Sequence, residues 1–282
     1  PIVTPLAVLF MPWKVASSLP SMIRELRVRV AERIDMRDQG KVKHSDYIET
    51  LITPDKPTAE LKTKQNIKHM LTVTSQLVLG SYDPTSVTIY MFFFFILQNL
   101  EALEGLKHEV RSSFSSYEDI EPEKLRTLPW LDGCLHETLR LGAPATHHAL
   151  PRISPGGLVN GEYIPKGTVV RSSLFTYGRS PRFFHDPKSF RPERWLPQGH
   201  PKYNAAFADD DHAAHHPFIT GPRQCPGREV ARITFRLVVA KMVWLFDMEQ
   251  LSEQLDFDRD MRVYAMWMKP ELRMRLVPVK RD

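Results

Sequence analysis

Apolar positions repeat at helical spacing through most of the first half of the chain. They give way to short, turn-bounded runs in the second half. Over residues 21–37, Ile23, Leu26, Val30 and Ile34 share one helical face, with Arg24, Arg27, Arg33 and Arg37 interleaved as a solvated basic face. Residues 58–97 read as one long helix interrupted by Gly80 and Pro84. Its apolar end, residues 91–97, falls short of the ~18 residues a bilayer span needs and reads as a buried segment. A charged amphipathic helix is expected over 101–114. Another is expected over 129–141, opened after Pro129 and closed before Gly142 and Pro144. Tyr163 and Ile164, a turn over 165–167, and Val169 with Val170 read as a β-hairpin. Residues 179–216 are loop-rich, punctuated by Pro181, Pro187, Pro192, Pro197 and Pro201. A helix over 230–245 and a period-two strand at Leu272, Met274 and Leu276 complete the pattern. The class predicted is mainly α with small β-sheets (α+β), with no internal repeat.

Composition narrows this picture. The chain has 282 residues, 42% of them apolar, enough for one large domain or two small ones. Twenty-three prolines against thirteen glycines imply many turns and long ordered loops. The net charge of +5 is mild and arginine is spread along the chain, so no nucleic-acid partner is expected. Cys134 and Cys225 are the two cysteines; they make no disulfide framework and suit a reducing compartment. The start has no initiator Met, no basic n-region and no cleavage site. The expectation is a chain without a signal peptide that begins partway into a longer protein.

The chemistry concentrates at residues 218–227, FITGPRQCPG. Cys225 sits in a Gly- and Pro-rich loop just before the helix at 230–245, with Pro226 placed near its first helical position and Arg223 two residues before the cysteine. A helix N-terminus and a nearby guanidinium both favour thiolate over thiol. Such a thiolate can attack a substrate or bind a soft metal centre. The spacing F-x-x-G-x-R-x-C-x-G, filled by Phe218, Gly221, Arg223, Cys225 and Gly227, resembles the heme-ligand loop of the cytochromes P-450. That resemblance implies heme b with Cys225 thiolate as the axial metal ligand.

Further matches extend the resemblance from about residue 58 to the C-terminus. Glu137 and Arg140 form an E-x-x-R on one helix face, and residues 190–194, FRPER, resemble the family's F-x-P-E-R segment. The resemblance implies a structural triad of Glu137, Arg140 and Arg194, two guanidinium forks on one carboxylate. Residues 128–131 resemble the lead-in to that helix, and residues 164–168 the family's hairpin. Arg152 and Arg223 sit where many members carry an arginine to a heme propionate. The tail, including residues 267–270, is similar to fungal microsomal members of specialised metabolism, such as the isotrichodermin hydroxylases. In these terms residues 1–282 form the C-terminal portion of one cytochrome P-450 domain. Residues 1–57 are a helical lead-in, 58–282 run from the oxygen-site helix to the C-terminal strands, and the family's N-terminal helices are lacking.

The sequence also departs from the family. Its long helix carries [AG]-G-x-[DE]-T-[TS] beside the oxygen site, and the matching run here is GSYDPT, residues 80–85. Asp83 keeps the acid, Pro84 replaces the proton-delivering threonine, and Thr85 lies one residue on, about 100° round a regular helix. Asp83 and Thr85 are the candidate catalytic pair. Thr234 stands where related chains usually carry Glu.

Other features are read as structural. The run from Asp209 to His216 is an exposed acidic loop rather than a metal site, and Cys134 is a small core residue. His147 and His148 fall where the resemblance places the pocket wall. His136 is given no acid–base role. The leading function is a heme-thiolate monooxygenase. It would take dioxygen, an apolar small-molecule substrate and electrons from an NADPH-dependent flavoprotein reductase. By the same resemblance it would sit on the cytosolic face of the endoplasmic reticulum membrane, associated only through an N-terminal anchor of a full-length form. Two alternatives stay open. One is a heme-thiolate isomerase or dehydratase that does not activate oxygen, motivated by Pro84. The other is a truncated, inactive heme-binding fragment.

Overall fold

A computed structural model of the chain describes residues 13–42, 46, 51, 63–145, 151–263 and 267–281. The chain divides into two compact units, Pro1–Ser81 and Tyr82–Asp282. In the first, helix α1 (Trp13–Asp38) buries Val30 and Ile34 with Met70, and Leu51, Ile67 and Leu71 pack against them. The helix starts earlier than its apolar spacing suggests and runs through Pro20.

Helix α2 (Lys64–Ile96) is continuous, a correction to the interruption expected at Gly80 and Pro84; residues 58–62 lie outside the described ones. Proline removes one backbone donor, a cost of roughly 3 kcal/mol in a helix interior. The downstream turns outweigh it. Met91, Phe92 and Ile96 are fully buried, and Phe93, Phe94 and Phe95 nearly so, which leaves that end of α2 enclosed on every side. Phe92 meets Phe235 edge-on at 5.3 Å, and Phe95 stacks on Phe190 at 5.6 Å. The Thr88 hydroxyl donates to the Pro84 carbonyl at 2.8 Å. No single described helix is long and apolar enough to cross a membrane.

Residues from the other long helices and the C-terminal strands of the second unit share one core with that phenylalanine run. Helices α3 (Leu100–Ser113), α4 (Pro122–Leu125) and α5 (Pro129–Leu141) follow α2. Leu128 at the N-cap of α5 offers no side-chain cap. The Glu109 carboxylate on α3 supplies one instead, accepting the Trp130 and Leu131 N–H groups at 2.8 Å each. Short helix α6 (Leu174–Gly178), the long helix α7 (Arg228–Leu245) and α8 (Phe257–Asp260) follow among the described residues.

Among the described residues the strands make four two-stranded antiparallel sheets. β1 (Arg152–Ile153) pairs with β4 (Val169–Val170), and β2 (Gly157–Val159) with β3 (Glu162–Ile164). The hairpin expected across 165–167 is therefore corrected: its two strands pair with different partners. The true hairpin turn is Asn160-Gly161, with φ of 49° and 86°, the left-handed pair a two-residue type I′ loop requires. β5 (Phe246–Gln250) pairs with β8 (Met274–Pro278), placing the alternating tail in a sheet. β6 (Arg262–Val263) pairs with β7 (Trp267–Met268). The α+β expectation describes this architecture.

Candidate functional site

Two structures meet in the stretch between α6 and α7: a buried ion network and an exposed cysteine loop. The network is built on Glu137 and Arg140, one helical turn apart on α5. Arg140 Nε donates to Glu137 Oε2 at 2.8 Å and Nη2 to Oε1 at 2.7 Å. Arg194, in the 3-10 turn Pro192–Trp195, donates from Nε to Glu137 Oε1 at 3.1 Å. The Arg191 backbone N–H reaches Oε1 at 2.8 Å and the Trp195 indole N–H reaches Oε2 at 2.9 Å. The structure thus brings Glu137, Arg140 and Arg194 together, each at most 2% exposed.

Burial alone would raise the Glu137 carboxyl. The Arg140 and Arg194 guanidiniums and the Arg191 N–H instead hold it below the usual carboxylate range. Further guanidinium donors go to backbone carbonyls. Arg140 bonds the carbonyls of Gly178, Pro187 and Ser189, and Arg194 those of His185 and Asp186. Such bonds tie α5, the end of α6 and residues 185–194 into one body. Gly133 permits the close approach: a Cβ there would lie 2.8 Å from the Pro192 carbonyl oxygen.

A second carboxylate balances the charge. Asp210 pairs with Arg194, is buried, and accepts the His185 N–H at 2.6 Å. Residues 209, 211–213 and 216 are exposed, as read for this acidic loop, and the Asp210 side chain is the buried exception among its acids. Asp211 caps the 3-10 turn His212–Ala214, and His215 is largely buried. No group of three or more His, Cys, Asp or Glu among the described residues could hold a metal ion. Asp210 and the indole of Trp195 are the participants that sequence reasoning missed. Neither an acid in an acidic run nor the tryptophan after FRPER carries a spacing that names its partner.

The cysteine loop is organised by backbone. The Cys225 N–H donates to the Phe218 carbonyl at 2.8 Å and the Gln224 N–H to the Gly221 carbonyl at 3.0 Å. Gly221 takes φ +83°, and Ile219 is held at +59°, a costly conformation for a β-branched residue. Phe218 packs against the main core, with the Arg232 guanidinium 5.7 Å from its ring. Helix α7 begins at Arg228 with Gly227 at the N-cap, so Pro226 lies two residues ahead of the first helical residue. Cys225 is a free, exposed thiol, whereas Cys134 is fully buried on α5 and its thiol is pushed up by burial and nearby Glu109, Glu137 and Glu193.

The other candidates are dispersed. Arg223 is exposed in the loop and Arg152 is exposed on β1. Asp83 and Thr85 are half-buried on α2, and no hydrogen bond or ring contact among the described residues links them to Cys225. Thr234 is half-buried on α7, and His147 and His148 lie outside the described residues.

These residues fit heme. A soft thiol stands exposed, and a Cβ at Gly221 would meet nothing within 4 Å. A Cβ at Gly227 would meet only the Cys225 sulfur, at 3.9 Å, so the loop leaves the thiol approachable.

The family model for cytochrome P450 matches residues 11–276. The chain belongs to the cytochrome P450 family. This cytochrome P450 chain is 38% identical to cytochrome P450 monooxygenase TwmD of Talaromyces wortmannii over 99% of its own length and 54% of TwmD's. It is 33% identical to monooxygenase btcC of Colletotrichum orbiculare over 91% of its length and 48% of btcC's. It is 35% identical to sesterfisheric acid synthase of Neosartorya fischeri over 74% of its length and 38% of that enzyme's. The chain spans about half the length, or less, of these relatives. Its fold resembles that of the retinoic acid-bound cyanobacterial CYP120A1, with a TM-score of 0.68 at 23% identity, covering 91% of this chain and 56% of that one.

Proposed function

We propose that the full-length protein is a heme-thiolate monooxygenase that inserts one oxygen atom of dioxygen into an apolar small molecule of fungal secondary metabolism. The observation that carries this is the exposed Cys225 thiol in a backbone-locked loop ahead of α7, in a chain whose relatives are named monooxygenases. Cys225 would hold the iron of heme b through its sulfur. The bound heme supplies the oxygen-activating chemistry. Arg152 and Arg223 would hold its propionates. Phe218 anchors the loop to the core. Asp83 and Thr85 on α2 hold and pass protons. Sesterfisheric acid synthase, by its name, makes an acid, and so acts on a small molecule. An NADPH-dependent flavoprotein reductase is the electron source, and the mildly basic chain suits an acidic partner face. The full-length form sits on the cytosolic face of the endoplasmic reticulum through an anchor.

The test is the carbon monoxide difference spectrum of the reduced full-length protein. A thiolate-type Soret band that Cys225→Ala removes and Cys134→Ala keeps is the expected result. Loss through Cys134→Ala alone overturns the ligand assignment. Pro84 favours one second reading, an isomerase or dehydratase acting on an already oxidised substrate, because proline offers no hydroxyl to protonate oxygen. Product formed equally well without oxygen would select it. For the monooxygenase, Pro84→Thr raises product formed per reductant consumed, since a well-placed general acid is worth about 10²–10⁴-fold.

A further inference from the structure

Beside the ion network lies a cluster of aromatic and imidazole rings that none of the chemistry above uses. Trp195 stacks on His136 of α5 at 5.1 Å and on His212 at 4.5 Å, and tilts against His215 at 4.9 Å. His136 and His215 meet edge to face at 5.5 Å. The same Trp195 donates its indole N–H to Glu137, so the ring stack is joined directly to the buried carboxylate. His136 Nδ1 and His215 Nε2 are buried with no hydrogen-bond partner among the described residues. A neutral imidazole tolerates one such nitrogen as an idle acceptor. A protonated one turns both nitrogens into donors, at least one of them without an acceptor.

We propose that His136, His212 and His215, gathered round Trp195, form an acid-sensitive latch on the segment that joins the Glu137 network to the Cys225 loop. The latch is closed while the three imidazoles are neutral and opens when they take up protons.

The charges around it enforce this direction. From α5 come Asp132, 3.7 Å from His136 Nε2, together with Glu137 and Arg140. From residues 191–195 comes Arg194, from 209–216 come Asp210 and His216, and from α7 come Arg232 and Arg236. Each of the three acids already has a guanidinium: Asp132 has Arg236, Asp210 has Arg194, and Glu137 has both Arg140 and Arg194. New positive charge therefore meets its own kind. Burial pushes all three imidazoles below 6.5, His215 well below, with neighbouring imidazoles and Arg140 adding to the shift at His215. A group depressed in the folded state costs nothing well above its unfolded value. As pH falls below about 6.5 the unfolded chain takes the proton first, and stability is lost until the folded value is passed.

The experiment is urea unfolding of the full-length protein from pH 7.5 to 5.5. Each imidazole that stays neutral when folded raises the unfolding constant about tenfold per pH unit below 6.5. His215→Phe keeps a ring in the stack but cannot titrate, and is expected to remove up to about tenfold of that rise per unit. A rise unchanged in His215→Phe overturns the proposal. Should that variant fail to fold, hydrogen exchange of the unaltered protein decides. Peptides covering residues 205–217 lose protection at pH 5.5, after correction for intrinsic exchange, before those of α3 and α7. Protection lost there no earlier than in the helices overturns the latch.

Discussion

The Glu137 network and the Cys225 loop lie within one unit of the fold and follow opposite rules. Around Glu137 every strong group is answered inside the chain. The carboxylate accepts from Arg140, Arg194, the Arg191 N–H and the Trp195 indole, and the second guanidinium finds Asp210. Around Cys225 the side chain is left exposed, and Ile219 is held in a left-handed conformation. The first region is built to be stable. The second keeps a shape it does not need for its own sake, as strained functional loops do. Substitutions in the first should therefore cost fold stability, and those in the second ligand chemistry alone.

The largest expected effect is at Glu137. Glu137→Ala leaves two buried guanidiniums without their shared carboxylate, and breaking a buried pair typically costs about 3–5 kcal/mol. Urea unfolding measures it. A loss under 1 kcal/mol would remove the contrast between the regions. Because the Glu137 carboxyl is held low, its contribution is present above about 4.5, the ordinary carboxylate value, and is lost as pH falls through the folded value. That loss sets in below about 4.5, whereas the imidazole loss sets in below about 6.5, so the two begin at different points of one titration.

Legibility in the sequence follows the same divide. The Cys225 loop and the Glu137–Arg140 spacing are local patterns, set by which residue types suit a turn or one helix face, and both can be read directly. The α+β class, the long α2 and the alternating strand β8 are legible for the same reason. What escapes is tertiary. Asp210 reads as one acid in an acidic run, and only folding brings it to Arg194. The stack of His136 on Trp195 joins residues from different elements. Pro84 reads as a break because local propensity speaks against it, whereas the buried phenylalanines downstream decide the outcome. The β2–β3 hairpin was available from Asn160-Gly161, a stronger turn signal than Pro165 to Gly167.

Two intermediate effects sharpen the comparison. At Gly178 an added Cβ would run into the Arg140 carbonyl oxygen, which is backbone and cannot swing away. Gly178→Ala is expected to cost about 1–3 kcal/mol, the usual range for overpacking. Thermal unfolding reads it, and an unshifted midpoint would mean α5 and α6 are not held as one body. Asp210→Asn keeps the shape but removes the charge facing Arg194, at a cost of about 1–3 kcal/mol for a buried charged hydrogen bond. If Asp210→Asn proves neutral, Glu137 alone satisfies Arg194, and the network is a triad without a fourth member.

The smallest effect on the fold is expected at Cys225, and its smallness is the point. The loop around it is held by the backbone bond from the Cys225 N–H to the Phe218 carbonyl, by Phe218 in the core and by Gly221, none of which needs the sulfur. An exposed side chain without structural partners contributes within about 0.5 kcal/mol. Cys225→Ala, compared with the parent in heme-free form, should therefore unfold at the same urea concentration while losing all thiolate ligation on heme addition. Loss of both together would show that the thiol supports the loop, and the division into a stable network and a receptive loop would fail. Loss of neither would place the metal ligand elsewhere. Stability kept with ligation lost is the result that distinguishes a site shaped for a cofactor from one shaped by its own packing.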